Sequence, residues 1–180
     1  MNFVGIDYSL TCPCVCVTQD GTFINSNFYY LIDKKKYTGV FGNIQGDLHI
    51  EYKTDQERYE NIALWAISKF SKLTNVKIMI EDYSFGSKGR VFNLAENCGL
   101  LKHFLYTGKY DFYTVPPTVV KKHATNKGNS NKDGMYDQFK SVTGIDLISK
   151  LSQTTKLGSP ITDIVDAWYI ARYLMQQEKI

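Results

Sequence analysis

The spacing of apolar residues divides the chain into an initial group of strands and a later alternation of strands and helices. Short apolar runs predict a strand at 2–9 and then a hairpin of two strands that are joined at an Asp20-Gly21 turn. Apolar residues that recur every three or four positions predict a helix at 54–73 and another at 91–106.

The second half of the chain continues this alternation. The run 75–85 predicts a strand that ends in carboxylates, and 110–115 predicts a further strand. Residues 116–144 hold two predicted helices with a polar loop between them, and 159–174 predicts the closing helix. The order βββαβαβα(α)α predicts an α/β fold, in which a mixed sheet carries helices on its faces. The functional crevice of such a sheet lies at the strand ends.

The 180 residues are expected to form a single domain over 1–180, with the polar, glycine-rich stretch 33–52 as an inserted loop or irregular hairpin. A hydrophobic content of 43% and a charged content of 22% are typical of a soluble globular protein. The chain has no run of about 18 apolar residues, and its first residues lack a signal-peptide pattern. We therefore expect a cytoplasmic protein, located in the host cell if the chain is viral.

Three of the four cysteines alternate in the sequence CPCVC, at Cys12, Cys14 and Cys16. This spacing places them on one face of a strand, where thiols behave as small buried apolar groups. A metal site would require C-x-x-C pairs and a second half-site, and the sequence has neither. We expect reduced, structural thiols.

The closing helix contains two carboxylates in a mostly apolar segment that begins at Ser159, a suitable N-cap residue. Asp163 and Asp166 are three positions apart, hence neighbours on one face, and Asp166 stands between Val165 and Ala167. An acid in the first turn interacts favourably with the helix dipole, which suits Asp163 but not Asp166. A buried carboxylate costs several kcal/mol unless another group compensates its charge.

Two further carboxylates end predicted strands. Asp7 ends the first strand, and Glu81, followed by Asp82, ends the fourth. If these strands are neighbours, the two side chains lie within a few ångströms of each other, where Asp163 and Asp166 can join them from a helix packed over that edge. Four converging carboxylates remain ionised only with cations between them. Such oxygen ligands suit Mg²⁺ or Mn²⁺, and two of these ions support phosphodiester hydrolysis.

Five short segments follow one another along the chain, GIDYS, KIMIEDYSF, AENCGLLKHFL, VVKKHATNKGNSNKDGM and DIVDA. In this order they resemble the motifs of RuvC-type Holliday-junction resolvases. These enzymes belong to the RNase H-like superfamily, and the resemblance is greatest to the short phage and poxvirus-type versions. It covers most of the chain, with 33–52 as the clearest extra piece.

The resemblance implies an RNase H-like mixed five-stranded sheet, with three antiparallel strands and then parallel ones, flanked by helices. It implies a crossover junction endodeoxyribonuclease that hydrolyses paired phosphodiester bonds with two Mg²⁺ or Mn²⁺ ions per active site. The residues that it implies for catalysis and metal binding are Asp7, Glu81, Asp163 and Asp166. Lys121 corresponds to a lysine that neutralises charge on the phosphate, and Lys132 to one that positions the DNA backbone.

Basic residues support a nucleic-acid partner. Residues 86–127 hold seven lysines and arginines against two acids, whereas the whole chain has a net charge of only +3. This asymmetry suits a phosphate-binding face beside an acidic metal site. The base-stacking aromatic of the resembled family follows the catalytic Glu, and here two aromatic residues are available. The expected DNA-binding residues are Lys88, Arg90, Lys121, Lys122, Lys127, Lys132, Tyr83 and Phe85.

Symmetrical resolution of a four-way junction requires two cuts, and one metal site per chain can make one. We therefore expect a homodimer with a two-fold interface. The helix 91–106 is the expected interface, because Gly99 would let a partner helix approach. Apolar surface would come from Leu100, Leu101, Phe104 and Leu105.

Three other functions stay open from sequence. GIDYS also resembles the phosphate-binding hairpin of sugar kinases and actin-like ATPases, but those proteins need two such domains. A second alternative is a junction-binding protein without catalysis, against which the four carboxylates argue. The third is another RNase H-like nuclease that acts on branched DNA or RNA–DNA hybrids, because the same metal site serves both reactions.

Overall fold

A seven-stranded mixed sheet forms the centre of the computed structural model, which describes residues 1–82, 91–151 and 157–178. The strands are β1 (Asn2–Asp7), β2 (Cys14–Thr18), β3 (Asn27–Ile32), β4 (Gly39–Phe41), β5 (Ile44–Leu48), β6 (Val76–Glu81) and β7 (Asp111–Val115). The helices are α1 (Asp55–Ser68), α2 (Val91–Thr107), α3 (Pro117–Thr125), α4 (Lys132–Thr143), α5 (Leu147–Leu151) and α6 (Ile161–Gln177). A 3₁₀ turn, Lys35–Tyr37, precedes β4.

The strands lie in the order β4-β5-β3-β2-β1-β6-β7. β1, β2 and β3 are antiparallel, and β6 and β7 continue the sheet parallel to β1. This arrangement confirms the α/β fold with a mixed sheet and flanking helices. The expected count of five strands is wrong, because β5 pairs parallel with β3 and β4 pairs antiparallel with β5. Both strands come from 33–52. In this stretch the apolar runs are short, and three glycines interrupt the alternation of apolar and polar residues that indicates a strand.

Alternate residues of β1 face two separate cores. Val4 and Ile6 face the core that α1 and α2 cover. Phe3 and Gly5 face the other side, where α6, α3 and α4 pack. Asp7 continues the second set, since side chains alternate along a strand.

Helix α6 lies directly against β1 at Gly5. A Cβ atom on Gly5 would stand 2.2 Å from the Ala167 carbonyl oxygen and 2.4 Å from the Ala171 backbone nitrogen. The missing side chain therefore permits the helix to touch the strand. Because Asp163 precedes Ala167 by about one turn, this contact carries Asp163 toward the end of β1, where Asp7 stands.

Two local predictions were wrong in detail. β2 and β3 form the predicted antiparallel pair, but their connection spans 19–26 rather than a tight turn at Asp20 and Gly21. α6 begins at Ile161 with Pro160 in the capping position, so Ser159 is not its N-cap.

The four cysteines are free and buried, which confirms the prediction of reduced structural thiols. Cys12, Cys14 and Cys16 lie in the core beneath α6, as their alternation predicted. Within the described residues, no helix has the length and apolar character needed to span a bilayer.

The contact at Gly5 predicts opposite effects for two glycine substitutions. Gly5→Ala should lower the free energy of unfolding by about 1–3 kcal/mol, because the added methyl group overpacks the interface with α6. Gly99→Ala should raise it by about 0.5–1 kcal/mol, since Gly99 lies within α2 with open space around its Cβ position. Urea unfolding of both variants tests this difference. A neutral Gly5→Ala variant would contradict close packing of α6 on β1.

Candidate active site

Asp7 and Glu81 stand side by side at the carboxyl ends of two neighbouring parallel strands. The register pairs Ile6 of β1 with Ile80 of β6, so Asp7 and Glu81 are the next residues along the same edge. Met79 lies in the core beneath α6, which places Glu81, two residues further, on the same face as Asp7. Both carboxylates therefore point to the side of the sheet that α6 covers.

Helix α6 brings the other two carboxylates to this edge. Among the charges that act on Asp7, that of Asp163 is the strongest, followed by Glu81 and Asp166. The main acidic neighbour of Glu81 is Asp166. The four acids predicted from sequence thus lie in one cluster, with Asp163 toward β1 and Asp166 toward β6.

Burial and mutual repulsion together raise the pKa values of these acids. Burial raises the pKa of Asp7 well above its usual range, and the three neighbouring carboxylates raise it further. Burial, followed by the charge of Asp166, raises the pKa of Glu81 to about 8. Burial and Asp163 raise the pKa of Asp166 to about 7, and burial raises that of Asp163. The cluster therefore favours any positive charge that can enter it.

Two lysines oppose this repulsion. The charge of Lys121, on α3, lowers the pKa values of Glu81 and Asp166. The charge of Lys132, at the first position of α4, acts likewise on Asp7 and on both acids of α6. Lys121 and Lys132 thus approach the cluster from two different helices, on the sides of β6 and β1 respectively.

Two neighbours of Asp163 were not predicted from sequence. Contacts from the Ser159 hydroxyl and the Cys12 thiol lower the pKa of Asp163, against the larger effect of burial. The same surroundings raise the pKa of Cys12, mainly through burial and then through the charge of Asp163. The only signal in the sequence was the position of Cys12 shortly after Asp7, which gave no indication of a contact with the closing helix.

The donor set fits a hard divalent cation in chemistry and charge. Four carboxylates offer oxygen ligands alone, and two lysines leave half of their charge uncompensated. In the described ranges, no three acidic, cysteine or histidine side chains stand close enough to enclose a metal ion. Binding of such an ion therefore requires the carboxylates to draw together, which side-chain rotation within the cluster can supply.

The remaining predicted residues fall into two groups. Lys122 and Lys127 are exposed, at the end of α3 and in the connection to α4. The structure does not bring either lysine into the carboxylate cluster. The others lie outside the described residues, and they are Tyr83, Phe85, Lys88 and Arg90.

A cavity of about 730 Å³ opens at the other end of α6. Phe23, His123, Trp168 and Arg172 contribute to its walls, and the four carboxylates do not. This cavity is therefore separate from the acidic cluster.

Comparison with solved structures places the fold among Holliday junction resolvases. Thermus thermophilus RuvC has a TM-score of 0.63 at 11% sequence identity, over 99% of this chain and 97% of that one. T. thermophilus RuvC in complex with a Holliday junction substrate gives 0.63 at 12%, over 98% and 96%. The yeast mitochondrial Holliday junction resolvase Ydc2 gives 0.60 at 15%, over 98% and 78%. No protein-family model matches the sequence, and no curated protein is similar to it in sequence.

These similarities confirm, at the level of the fold, the resemblance to RuvC-type resolvases that the motifs predicted. Their coverage of nearly the whole chain means that the sheet and its flanking helices correspond as one arrangement. At 11–15% identity they establish the fold, while the chemistry of this chain depends on its own residues.

The raised pKa values predict that metal-free protein loses stability as the pH rises. Unfolded Asp and Glu have pKa values of about 4. Below that pH the acids are protonated in both states. Above it they ionise in the unfolded chain, whereas in the folded cluster Asp166 and Glu81 ionise only near their raised pKa values of about 7 and about 8, against burial and repulsion. The contribution of the cluster to the free energy of unfolding should therefore decrease as the pH rises from about 4 to about 8. Asp7→Asn should stabilise the protein, and by more at pH 8 than at pH 5.

Urea unfolding at both pH values, in the presence of a chelator, measures this difference. Asp20→Asn is the control, because hydrogen bonds from Asn25 and Thr22 lower the pKa of Asp20, the opposite direction. That variant should not gain stability at either pH. Equal stability of wild type and Asp7→Asn at pH 8 would contradict charge repulsion in the folded cluster.

Proposed function

We propose that this protein is a divalent-metal-dependent endonuclease that resolves four-way DNA junctions. The observation that carries the proposal is the convergence of four partly buried carboxylates, with Asp7 and Glu81 at the carboxyl ends of β1 and β6, and Asp163 and Asp166 on α6. The similarity of the fold to that of RuvC and Ydc2 supports junction DNA as the substrate. Hydrolysis of a phosphodiester bond is the chemistry that such an oxygen-only donor set serves.

Asp7, Glu81, Asp163 and Asp166 are the residues that would hold Mg²⁺ or Mn²⁺, with two ions per site. When bound, such ions activate a water molecule and stabilise the leaving oxygen. Asp7 would lie at the centre of this set of ligands, because the charges of the other three acids all act on it. Glu81 and Asp166 would form the side nearer β6, and Asp163 the side nearer β2.

The lysines give the site its affinity for a phosphate group. Lys121, beside Glu81 and Asp166, would contact a non-bridging oxygen of the scissile phosphate and neutralise the charge that develops on it. Lys132, at the N-terminus of α4, would hold the DNA backbone next to Asp7 and Asp163. The exposed residues Lys122 and Lys127 extend this basic surface along α3.

Four residues outside the described ranges complete the proposed DNA contacts. Lys88 and Arg90 would bind phosphates beyond the active site. Tyr83 or Phe85, which follow Glu81 in the sequence, would stack on a base near the cut.

The proposed dimer uses the outer face of α2, but not through the residues expected from sequence. Leu101 and Leu105 are fully buried in the protein's own core, and Leu100 and Phe104 pack against it. The exposed stripe of α2 instead contains Phe92, Gly99 and Tyr106, spaced seven residues apart. Positions seven apart lie on one face of a helix, so this stripe can meet its copy across a two-fold axis.

Neutralising the carboxylates should abolish cleavage and preserve binding. Asp7→Asn, Glu81→Gln and Asp166→Asn should each lower the cleavage rate by several orders of magnitude, because each removes a metal ligand. Asp111→Asn is the control, since Asp111 lies at the opposite end of the neighbouring strand β7. The assay uses four-way junctions, three-way junctions, flaps, duplexes and RNA–DNA hybrids, each with Mg²⁺ or Mn²⁺. Preferred cleavage of hybrids, or activity in two of the three variants, would refute the proposal.

The dimer prediction is tested on the same junction. Phe92→Glu should yield a folded monomer that nicks one strand, because a charge at one end of the stripe opposes its burial. Phe92 is 83% exposed, so its loss leaves the core intact. Ile24→Glu is a matched control at a residue that is 82% exposed in another part of the chain. Light scattering with and without DNA measures the assembly. A wild-type monomer that cuts both strands would overturn the dimer.

A further inference from the structure

Residues of the segment 33–52 lie on the same line of paired residues across the sheet as Asp7. Paired residues follow one another across the strands, from Asp7 to Cys14, Tyr30, Gly46 and Gly39. Adjacent strands are about 4.8 Å apart, so Tyr30 lies roughly 10 Å from Asp7 and Gly39 roughly 19 Å. The residues that connect β3 to β4 span the interval between these two positions.

Strand direction places this connection at the same edge as the active site. β3 is antiparallel to β2, which is antiparallel to β1, so β3 and β1 both end at the carboxylate edge. The chain leaves β3 at Ile32 and continues with Asp33 and three consecutive lysines. These lysines, Lys34–Lys36, are defined here as the lysine turn.

The lysine turn also lies toward the face of the sheet that holds the carboxylates. Tyr37, directly after the lysine turn, packs against the core beneath α6. Its carbonyl oxygen accepts a hydrogen bond of 2.5 Å from the hydroxyl of Tyr30. Tyr30 in turn lies beside Cys12 and Cys14, which neighbour Asp7. A continuous set of contacts thus connects the turn with the acidic cluster.

Contacts on both faces of the sheet hold the segment in place. On the face of α6, the Tyr30 ring lies over Gly46, where a Cβ atom would stand 2.5 Å from it. On the opposite face, Asp47 accepts hydrogen bonds from the Trp65 indole at 3.0 Å and from Lys69 at 2.7 Å. The lysine turn is therefore built on a fixed part of the sheet.

The charges of the turn have no acidic partner in the described residues. All three lysines are exposed, and none forms an ion pair there. Lys36 places its ammonium group 4.8 Å from the centre of the Tyr37 ring, which fixes its direction. Asp33 is the neighbouring acid, so the turn retains an excess of two positive charges.

We propose that the lysine turn binds the phosphate backbone of a duplex arm that leaves the active site. The inference deepens the proposed function and rests on it. A separation of roughly 10–19 Å from Asp7 corresponds to about three to six base pairs at 3.4 Å per pair. A partner with regularly spaced negative charges suits unpaired lysines on a rigid edge. The segment 33–52 thus extends the DNA-binding surface away from the carboxylates, beyond β2 and β3.

The test compares two double variants that remove the same charge from opposite ends of the sheet. Lys34→Gln/Lys35→Gln alters the turn and spares Lys36, which contacts Tyr37. Lys72→Gln/Lys150→Gln is the matched control, since both lysines are exposed, Lys72 precedes the amino end of β6, and Lys150 lies beside Gly42, which precedes the amino end of β5. Fluorescence anisotropy measures junction binding over a salt series without Mg²⁺ or Mn²⁺.

The turn variant should bind about ten-fold more weakly at low salt. The slope of its logarithmic affinity against the logarithm of the salt concentration should correspond to roughly two fewer phosphate contacts. The control should match wild type in both. Neutral methylphosphonate linkages three to six base pairs from the cut should weaken binding by wild type but not by the turn variant. Linkages beyond that range should affect both proteins equally.

The outcomes separate this inference from the proposed function. A wild-type chain that neither binds nor cuts junctions overturns both. A wild type that does bind and cut, with a turn variant equal to it in affinity and salt dependence, overturns the inference alone. The inference alone is also overturned if the control double variant loses as much affinity as the turn variant.

Discussion

The contact between α6 and β1 at Gly5 is the constraint on which the acidic cluster depends. With any side chain at this position the helix would have to move away from the sheet, because the space is filled by the backbone of Ala167 and Ala171. The height of α6 above the sheet decides whether Asp163 and Asp166 reach the carboxylates of the strands. Gly5, two positions before Asp7, thereby sets the arrangement of the four acids without contributing a side chain to it.

The ionised acidic cluster lowers the stability of the fold that brings its four side chains together. Burial raises the pKa values of all four acids, and like charges raise those of Asp7, Glu81 and Asp166 further, so their ionised forms destabilise the folded protein. The apolar side chains of α6 on either side of the acids provide the compensation. Trp168, Ile164 and Ile170 are buried in the core beneath the helix and hold it against the sheet. The protein thus combines a strongly packed helix with a locally unfavourable site, an arrangement common where binding a cation is part of function.

The sequence predicted the parts of this structure that have a strong local signal. The strand ending at Asp7, the strand ending at Glu81 and the spacing of Asp163 and Asp166 are each visible within a few residues. The adjacency of β1 and β6 was only a condition of that prediction, and the structure meets it.

Features that depend on contacts between distant residues were missed. β5 pairs with β3 through Gly46, a residue that would argue against a strand if read in isolation. Cys12 and Ser159 meet Asp163 only because α6 packs beside the start of β2. The apolar residues of α2 predicted an amphipathic helix correctly, but periodicity alone could not show that Leu101 faces its own core and Phe92 does not.

The end of the sheet at β4 has a consequence for association between molecules. An outer strand with free backbone groups can recruit a strand from another chain, which leads to edge-to-edge aggregation. β4 is only three residues long, begins at Gly39 with a φ of 132°, and follows three exposed lysines. A short, charged and twisted border of this kind offers a poor template for a further strand. This edge of the sheet therefore disfavours edge-to-edge association through β4.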